Sequence, residues 1–118
     1  GRAPGDSGMI NAHATATEHG DIAEGSAVAA VFGGKAPVNS LKGYMGHTMA
    51  ASGAVELIAC IQAASKGVVL GTRNLSTPDR RCGDINIFSE HAAFNGEFLL
   101  KNSFGLGGVN ASLVVKML

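Results

Sequence analysis

Three polar clusters interrupt an otherwise apolar chain of 118 residues, and they hold most of the side chains that could do chemistry. They are Asn11-Ala12-His13-Ala14-Thr15-Ala16-Thr17, Asn39-Ser40-Leu41-Lys42-Gly43-Tyr44-Met45-Gly46-His47 and Asn102-Ser103-Phe104-Gly105-Leu106-Gly107-Gly108-Val109-Asn110. An imidazole can move a proton, ligate a metal, or donate an N–H to an oxygen that is gaining charge. Taken singly, each cluster has an ordinary reading. A lone histidine after a strand is commonly a satisfied structural residue, and Lys42 alone reads as a surface charge. The turn from Gly105 to Gly108 by itself only lets a strand pair tighten, and no Gly-Lys-Ser/Thr follows it as a phosphate loop requires. His13, His19 and His47 lack the helical His-x-x-x-His spacing, so no metal site is expected.

The elements that must position these residues follow from the pattern of apolar runs and breakers. Met9–Ala12 is short and apolar, as in a buried strand. Asp21, followed three residues later by Glu24, resembles a helix start, and a helix is predicted from about Ile22 to Phe32, stopped by Gly33-Gly34. Ala36–Asn39 is a second strand, and Ser40–His47 a polar loop. A long helix is predicted from about Thr48 to Lys66 with Gly67 as its stop. Its apolar residues run nearly all the way round, as in a helix buried on every side. Val68–Leu75 leads into a loop through Pro78, Arg80, Arg81 and Gly83. Strands are predicted at Ile85–Phe88, Glu97–Ser103 and Ala111–Leu118. Strands alternating with helices, then strands alone, predict a layered α/β unit with a mixed sheet. All three clusters fall where a strand gives way to a loop or helix, the usual place for a site in such folds.

Composition narrows the function classes. Nine Lys and Arg balance nine Asp and Glu, so neither a nucleic-acid footprint nor a polybasic membrane patch is present. No signal segment and no apolar run of spanning length is seen. Cys60 and Cys82 form no framework and no metal spacing, which is the usage of a reduced, cytoplasmic protein. Only 15% of residues are charged, while 46% are hydrophobic and glycines number 17. Some apolar surface is therefore expected to meet another chain or another part of the same protein. Residues 1–8 read as a leader or truncated loop ahead of a single domain at 9–118, and a fragment is expected.

Together the clusters resemble one family, the β-ketoacyl synthases (ketosynthases) of fatty-acid and polyketide assembly. The family's Asn-Ala-His-Gly-Thr-x-Thr motif is matched by Asn11–Thr17, and its Lys-x-x-x-Gly-His motif by Lys42–His47. Its Gly-Phe-Gly-Gly-x-Asn turn is matched by Gly105–Asn110. The resemblance implies a thiolase-like layered α/β fold, here its C-terminal half, with a mixed sheet and a buried central helix. It implies a decarboxylative Claisen condensation between a malonyl thioester on an acyl carrier protein and an acyl group held on a cysteine.

By this resemblance His13 and His47 hold the malonyl thioester oxygen, and Lys42 pairs with Glu56 to fix the loop bearing His47. Glu56 is the only acid in the long helix, where an unpaired buried carboxylate would be costly; a surface place for Glu56, on a polar stripe with Ser52, is the other reading. Thr15 and Thr17 match the hydroxyls that bind the pantetheine arm, although loop and cap hydrogen bonds would also account for them. Phe104 and Leu106 border the substrate, and the Leu106 backbone N–H completes an oxyanion hole for the acyl-cysteine. Leu106 stands where fatty-acid members usually carry Phe as a gate, and Ala14 where they carry Gly.

The family's nucleophilic cysteine lies in its N-terminal half. Cys60 sits within the apolar helix, and Cys82 sits in an Arg-rich loop that could lower its pKa but has no histidine nearby. The chain alone is therefore expected to be inactive. The implied partners are an acyl carrier protein, the N-terminal half of the same enzyme, and a second subunit in a homodimer or heterodimer. No cofactor is implied beyond the phosphopantetheine that carries the substrate. A thiolase would carry a Cys-x-Gly turn near its C-terminus, and none is present. A non-catalytic subunit of the chain-length-factor type is the alternative, although retention of His13, Lys42 and His47 together favours activity.

Overall fold

A computed structural model describes residues 3–118 of the chain. Gly1 and Arg2, part of the segment read as a leader, lie outside the described residues. A 3-10 turn at Pro4–Asp6 leads directly into strand β1, Ser7–Asn11, so the first strand starts inside that segment. Then follow helix α1, Glu18–Phe32; β2, Pro37–Asn39; the short helix α2, Lys42–Met45; and α3, Ser52–Ala64, entered through a 3-10 turn at Met49–Ala51. The rest is β3, Val68–Val69; β4, Asn86–Ile87; β5, Ala92–Ala93; β6, Phe98–Phe104; and β7, Asn110–Lys116.

Five strands form one mixed sheet in the order β4-β2-β1-β6-β7. β4, β2, β1 and β6 run parallel, and β7 returns antiparallel along β6. The predicted mixed α/β architecture is therefore present. Side chains on a strand alternate between its two faces, and β1 shows what this does. Met9 packs with Leu41, Cys60, Val69 and Leu99, on the α3 side of the sheet. Its neighbour Ile10 packs with Ala12, Val28, Ala36 and Val38, on the α1 side. Both are wholly buried, and each contributes about 1.5–3 kcal/mol by leaving water. The sheet is thus a central layer with one helix against each face.

Several boundaries differ from the sequence reading. α1 starts four residues early, with Thr17 in the N-cap position, so Asp21 lies in the first turn rather than at the cap. Its end is as predicted, at Gly33, whose φ of +54° closes the helix in the left-handed conformation. The loop after β2 contains α2, and a small antiparallel sheet, β3 with β5, was not foreseen.

α3 buries one stripe, Ser52, Glu56, Cys60 and Ala64, at the four-residue spacing of a helix face. It is not buried all round as its composition suggested: Val55 and Ile58 are 41% and 55% exposed, because within this chain only the sheet side covers it. Among the described residues no helix is long and apolar enough to cross a membrane.

Candidate active site

The parallel strands deliver the three clusters to one end of the sheet. β1 and β2 end side by side at Asn11 and Asn39, which are in register and wholly buried. The Asn11 side-chain amide donates to Asn39 Oδ1 at 2.8 Å, and Asn39 Nδ2 donates to the Leu70 carbonyl at 2.7 Å. These bonds fix where the two chains leave the sheet. His13 follows two residues after β1, and Lys42 opens α2 three residues after β2. β6 ends at Phe104 beside them.

His13 and His47 come together although 34 residues separate them. Their ring centroids stand 5.3 Å apart with an interplanar angle of 83°, and the Phe104 ring lies 5.7 Å from His13. Both imidazoles, with Thr15, Thr17, Phe104 and Leu106, line a single cleft of about 820 Å³. His47 Nδ1 accepts the backbone N–H of Met49 at 3.2 Å. A neutral His47 ring therefore carries its proton on Nε2 and keeps that nitrogen as a donor.

Burial and the nearby Lys42 ammonium hold the His13 imidazole below its ordinary value of 6.5, with His47 and Lys101 acting the same way and Glu24 against them. The Thr15 and Thr17 hydroxyls stand 3.0 Å apart, one donating to the other. The Leu106 side chain is fully exposed, at the tip of a turn closed by the Gly105 N–H donating to the Val109 carbonyl at 2.7 Å.

Behind the imidazoles lies a buried ionic cluster. Lys42 Nζ meets Glu56 Oε1 at 2.7 Å, and the side chains are 8% and 0% exposed. The expected pair is therefore present. The surface reading of Glu56 does not hold, because Glu56 and Ser52 are 0% and 4% exposed and Ser52 Oγ donates to the same Oε1 inside the protein. Lys101, which the sequence reading missed, meets Glu56 Oε2 at 2.6 Å from strand β6. Burial pushes the Glu56 carboxyl up, but hydrogen bonds from Lys101, Lys42 and Ser52 outweigh it and hold the group below the usual carboxylate range. Burial holds Lys101 below its ordinary value, against the pull of Glu56.

A second carboxylate organises the His13 loop. Glu24 of α1 is buried and accepts the His13 N–H at 2.9 Å and the Ala14 N–H at 2.8 Å. Asn102 Nδ2 donates to Glu24 Oε1 at 3.0 Å, and Ser112 Oγ donates to Asn102 Oδ1. α1, β6 and β7 thus converge on one loop. Glu24 was read only as part of a helix start, and its inward orientation had no signal in a chain with few acids. For Lys101 the available hint was its place directly after the apolar run Phe98–Leu100.

The cysteines do not enter the cleft. Cys60 is wholly buried, and burial pushes its thiol up to about 12. The arginine-rich loop does not activate Cys82. Burial, with Asp79 and Asp21, raises that thiol, while Arg81 is engaged by Asp79 and Glu18 at 2.7 and 2.6 Å. Among the described residues no group of three His, Cys, Asp or Glu side chains is arranged to hold a metal.

Comparison with known proteins identifies the family of the chain. Residues 1–76 match the family described as "Beta-ketoacyl synthase, C-terminal domain". A relative, "3-oxoacyl-[acyl-carrier-protein] synthase 2" of Mycobacterium tuberculosis, is 40% identical over 114 residues, which are 96% of this chain and 27% of that protein. The crystal structure of a β-ketoacyl synthase from Burkholderia phymatum STM815 superposes with a TM-score of 0.93 at 35% identity, over 98% of this chain and 28% of that one. A type II polyketide synthase acyl-carrier protein in complex with its ketosynthase, AntDE:AntF, superposes with a TM-score of 0.90 at 32% identity, over 98% of this chain and 29% of that one. The chain thus spans about a quarter of the length of the relatives it matches. With two imidazoles facing one cleft over a buried lysine–glutamate pair, and with the match extending over most of its length, the chain belongs to the β-ketoacyl synthase family as a C-terminal domain.

Proposed function

We propose that this chain is the C-terminal part of a β-ketoacyl synthase that condenses a malonyl thioester, presented on an acyl carrier protein, with an acyl group held on a cysteine elsewhere in the protein. The observation that carries this reading is the pairing of His13 and His47 across one cleft at 5.3 Å. In decarboxylation the C–C bond to the carboxylate breaks, carbon dioxide leaves, and the electron pair passes to an enolate whose charge sits on the thioester oxygen. That carbanion then attacks the acyl-cysteine carbonyl, and the cysteine departs as thiolate.

Two N–H donors aimed at the thioester oxygen strengthen as charge builds there, so they lower the barrier rather than only binding substrate. An imidazolium beside the malonyl carboxylate would instead stabilise the charge that must leave. Neutral rings suit the task, which accords with the lowered pKa of His13.

Lys42 and Glu56 act as the lock for the segment carrying His47. Thr15 and Thr17 suit the amides of a pantetheine arm, Phe104 and Leu106 border the acyl path, and the Leu106 N–H serves the acyl-cysteine oxygen. Neither Cys60 nor Cys82 can be the nucleophile, so the chain by itself is inactive in this reading. The partners are an acyl carrier protein, the remainder of the synthase and a second subunit, and no cofactor beyond the carrier's own arm is required.

The test is single substitution in the full-length protein. His13→Ala and His47→Ala should each abolish malonyl decarboxylation while acylation of the cysteine persists. Normal decarboxylation in either variant would refute the assignment, and absence of an acylatable cysteine would favour a non-catalytic subunit instead.

A further inference from the structure

Thr17 occupies the N-cap of α1, where a threonine hydroxyl ordinarily accepts an amide N–H of the first turn. It makes no such bond here. Its Oγ1 stands instead 3.0 Å from that of Thr15, and both residues line the cleft. Ala16 turns the chain between them, with a φ of +62°. The same stretch of cleft wall contains Gly20, in the first turn of α1. A Cβ on Gly20 would lie 2.5 Å from Thr17 Oγ1, well inside contact distance. Among the described residues, apart from the helix backbone and its two chain neighbours, only the Thr17 side chain comes within 4 Å of that point. A methyl group there would therefore disturb the Thr17 hydroxyl and nothing else, and rotation of Thr17 to another staggered position is the available relief.

We propose that Gly20 is a positioning residue for the thioester arm: its lack of a side chain keeps the Thr17 hydroxyl turned toward Thr15, so that the two hydroxyls form one paired site for an amide of that arm. This rests on the reading of Thr15 and Thr17 as groups that meet the pantetheine amides. Each hydroxyl has one proton to donate and two lone pairs. With one proton spent between them, the pair still offers one donor and free lone pairs, the set that an amide with one N–H and one C=O requires. Rotation of Thr17 carries its Oγ1 away from Thr15 and breaks that set. The backbone stays in place, because the Thr17 carbonyl accepts the Asp21 N–H at 2.9 Å. His13 is held separately through its own N–H by Glu24, so the change falls on the arm and spares the imidazole donors.

The experiment compares Gly20→Ala, Thr17→Ala and the double variant in the full-length protein. Decarboxylation is followed with two substrates, malonyl-pantetheine and the malonyl thioester of ethanethiol, which has no amide. Gly20→Ala should raise KM for malonyl-pantetheine by roughly 3- to 10-fold, the worth of one neutral hydrogen bond, with kcat held. Turnover of the ethanethiol ester should not change, and the melting temperature should hold or rise. In the Thr17→Ala background the same glycine substitution should add nothing, because the hydroxyl it displaces is already gone. A KM raised by Thr17→Ala but not by Gly20→Ala would overturn the proposal. So would additive losses in the double variant, equal losses with both thioesters, or a Gly20→Ala protein that fails to fold. If Thr17→Ala itself leaves KM for malonyl-pantetheine unchanged, the reading of the hydroxyls falls, and the proposal with it.

Discussion

Glu24 holds His13 by its backbone, not by its ring: the carboxylate accepts the His13 N–H at 2.9 Å and the next amide, that of Ala14, at 2.8 Å. The residue that offers its imidazole to the cleft is thus anchored from behind by a buried acid on a different element. An ionised carboxylate is the only side chain that can accept both amides and the Asn102 NH2 together. In Glu24→Gln one oxygen becomes an NH2 that faces a backbone N–H. A loss of about 2 kcal/mol is expected, read as a lower midpoint in urea unfolding of the full-length protein. Decarboxylation should fall as well, because the ring of His13 is displaced with its backbone.

Removing the Glu56 carboxylate should cost more. Glu56→Ala leaves two buried ammoniums without their counterion, a loss on the order of 3–5 kcal/mol. A thermal melt unchanged by the substitution would contradict the buried geometry.

The same residue sets an acid sensitivity. Its folded-state pKa lies below the ordinary 4.5, so its contribution to stability is complete above that value and is lost as the pH falls through the lower one. Urea midpoints of wild type and Glu56→Gln should therefore converge at low pH and separate as the pH rises past the carboxylate range.

How far the sequence revealed this arrangement depends on how local each signal is. Gly33, His13, Lys42 and His47 stand in short motifs whose meaning is carried by neighbours in the chain, and each was legible. The stripe Ser52–Glu56–Cys60–Ala64 was hidden because α3 is apolar all round, so periodicity could not say which face meets the sheet. Lys101 and Glu24 were missed because their partners lie 45 and 11 residues away. β3 and β5 are two residues each and pair across a long loop, which leaves no alternation to detect. Long-range polar pairings are created by topology, and no window of sequence contains them.

Ala14 records a local conflict in the His13 loop. Its φ is +24°, a conformation that a Cβ makes unfavourable, and Ala16 beside it sits at +62°. Glu24 and the Ser40 hydroxyl, which donates to the Ala14 carbonyl at 3.2 Å, hold the loop in place. Ala14→Gly should relieve strain of ~1–3 kcal/mol while adding ~0.4–1 kcal/mol of chain entropy to the unfolded state. The net expectation is a gain of about 1 kcal/mol, visible as a raised melting temperature. A lower one would mean that the Ala14 methyl group contributes packing beyond the strain it causes.

Leu106 gives the prediction that separates a backbone role from a side-chain role. It sits at the tip of the β6–β7 connection, where Gly107 and Gly108 adopt φ of +84° and +83° and no atom would lie near an added Cβ on either. The turn therefore does not confine the Leu106 side chain, whereas the Gly105–Val109 bond fixes the backbone. Substitution by Phe leaves the N–H where it is and adds bulk at the cleft rim. Leu106→Phe should preserve condensation but shift the ratio of kcat/KM between long and short acyl donors by roughly 10-fold, as one altered apolar contact does. Competition between two acyl-loaded carriers measures that ratio directly. Loss of all condensation would show that the side chain supports the oxyanion donor itself, because a residue that only narrows the path would alter which acyl chains pass without stopping the chemistry.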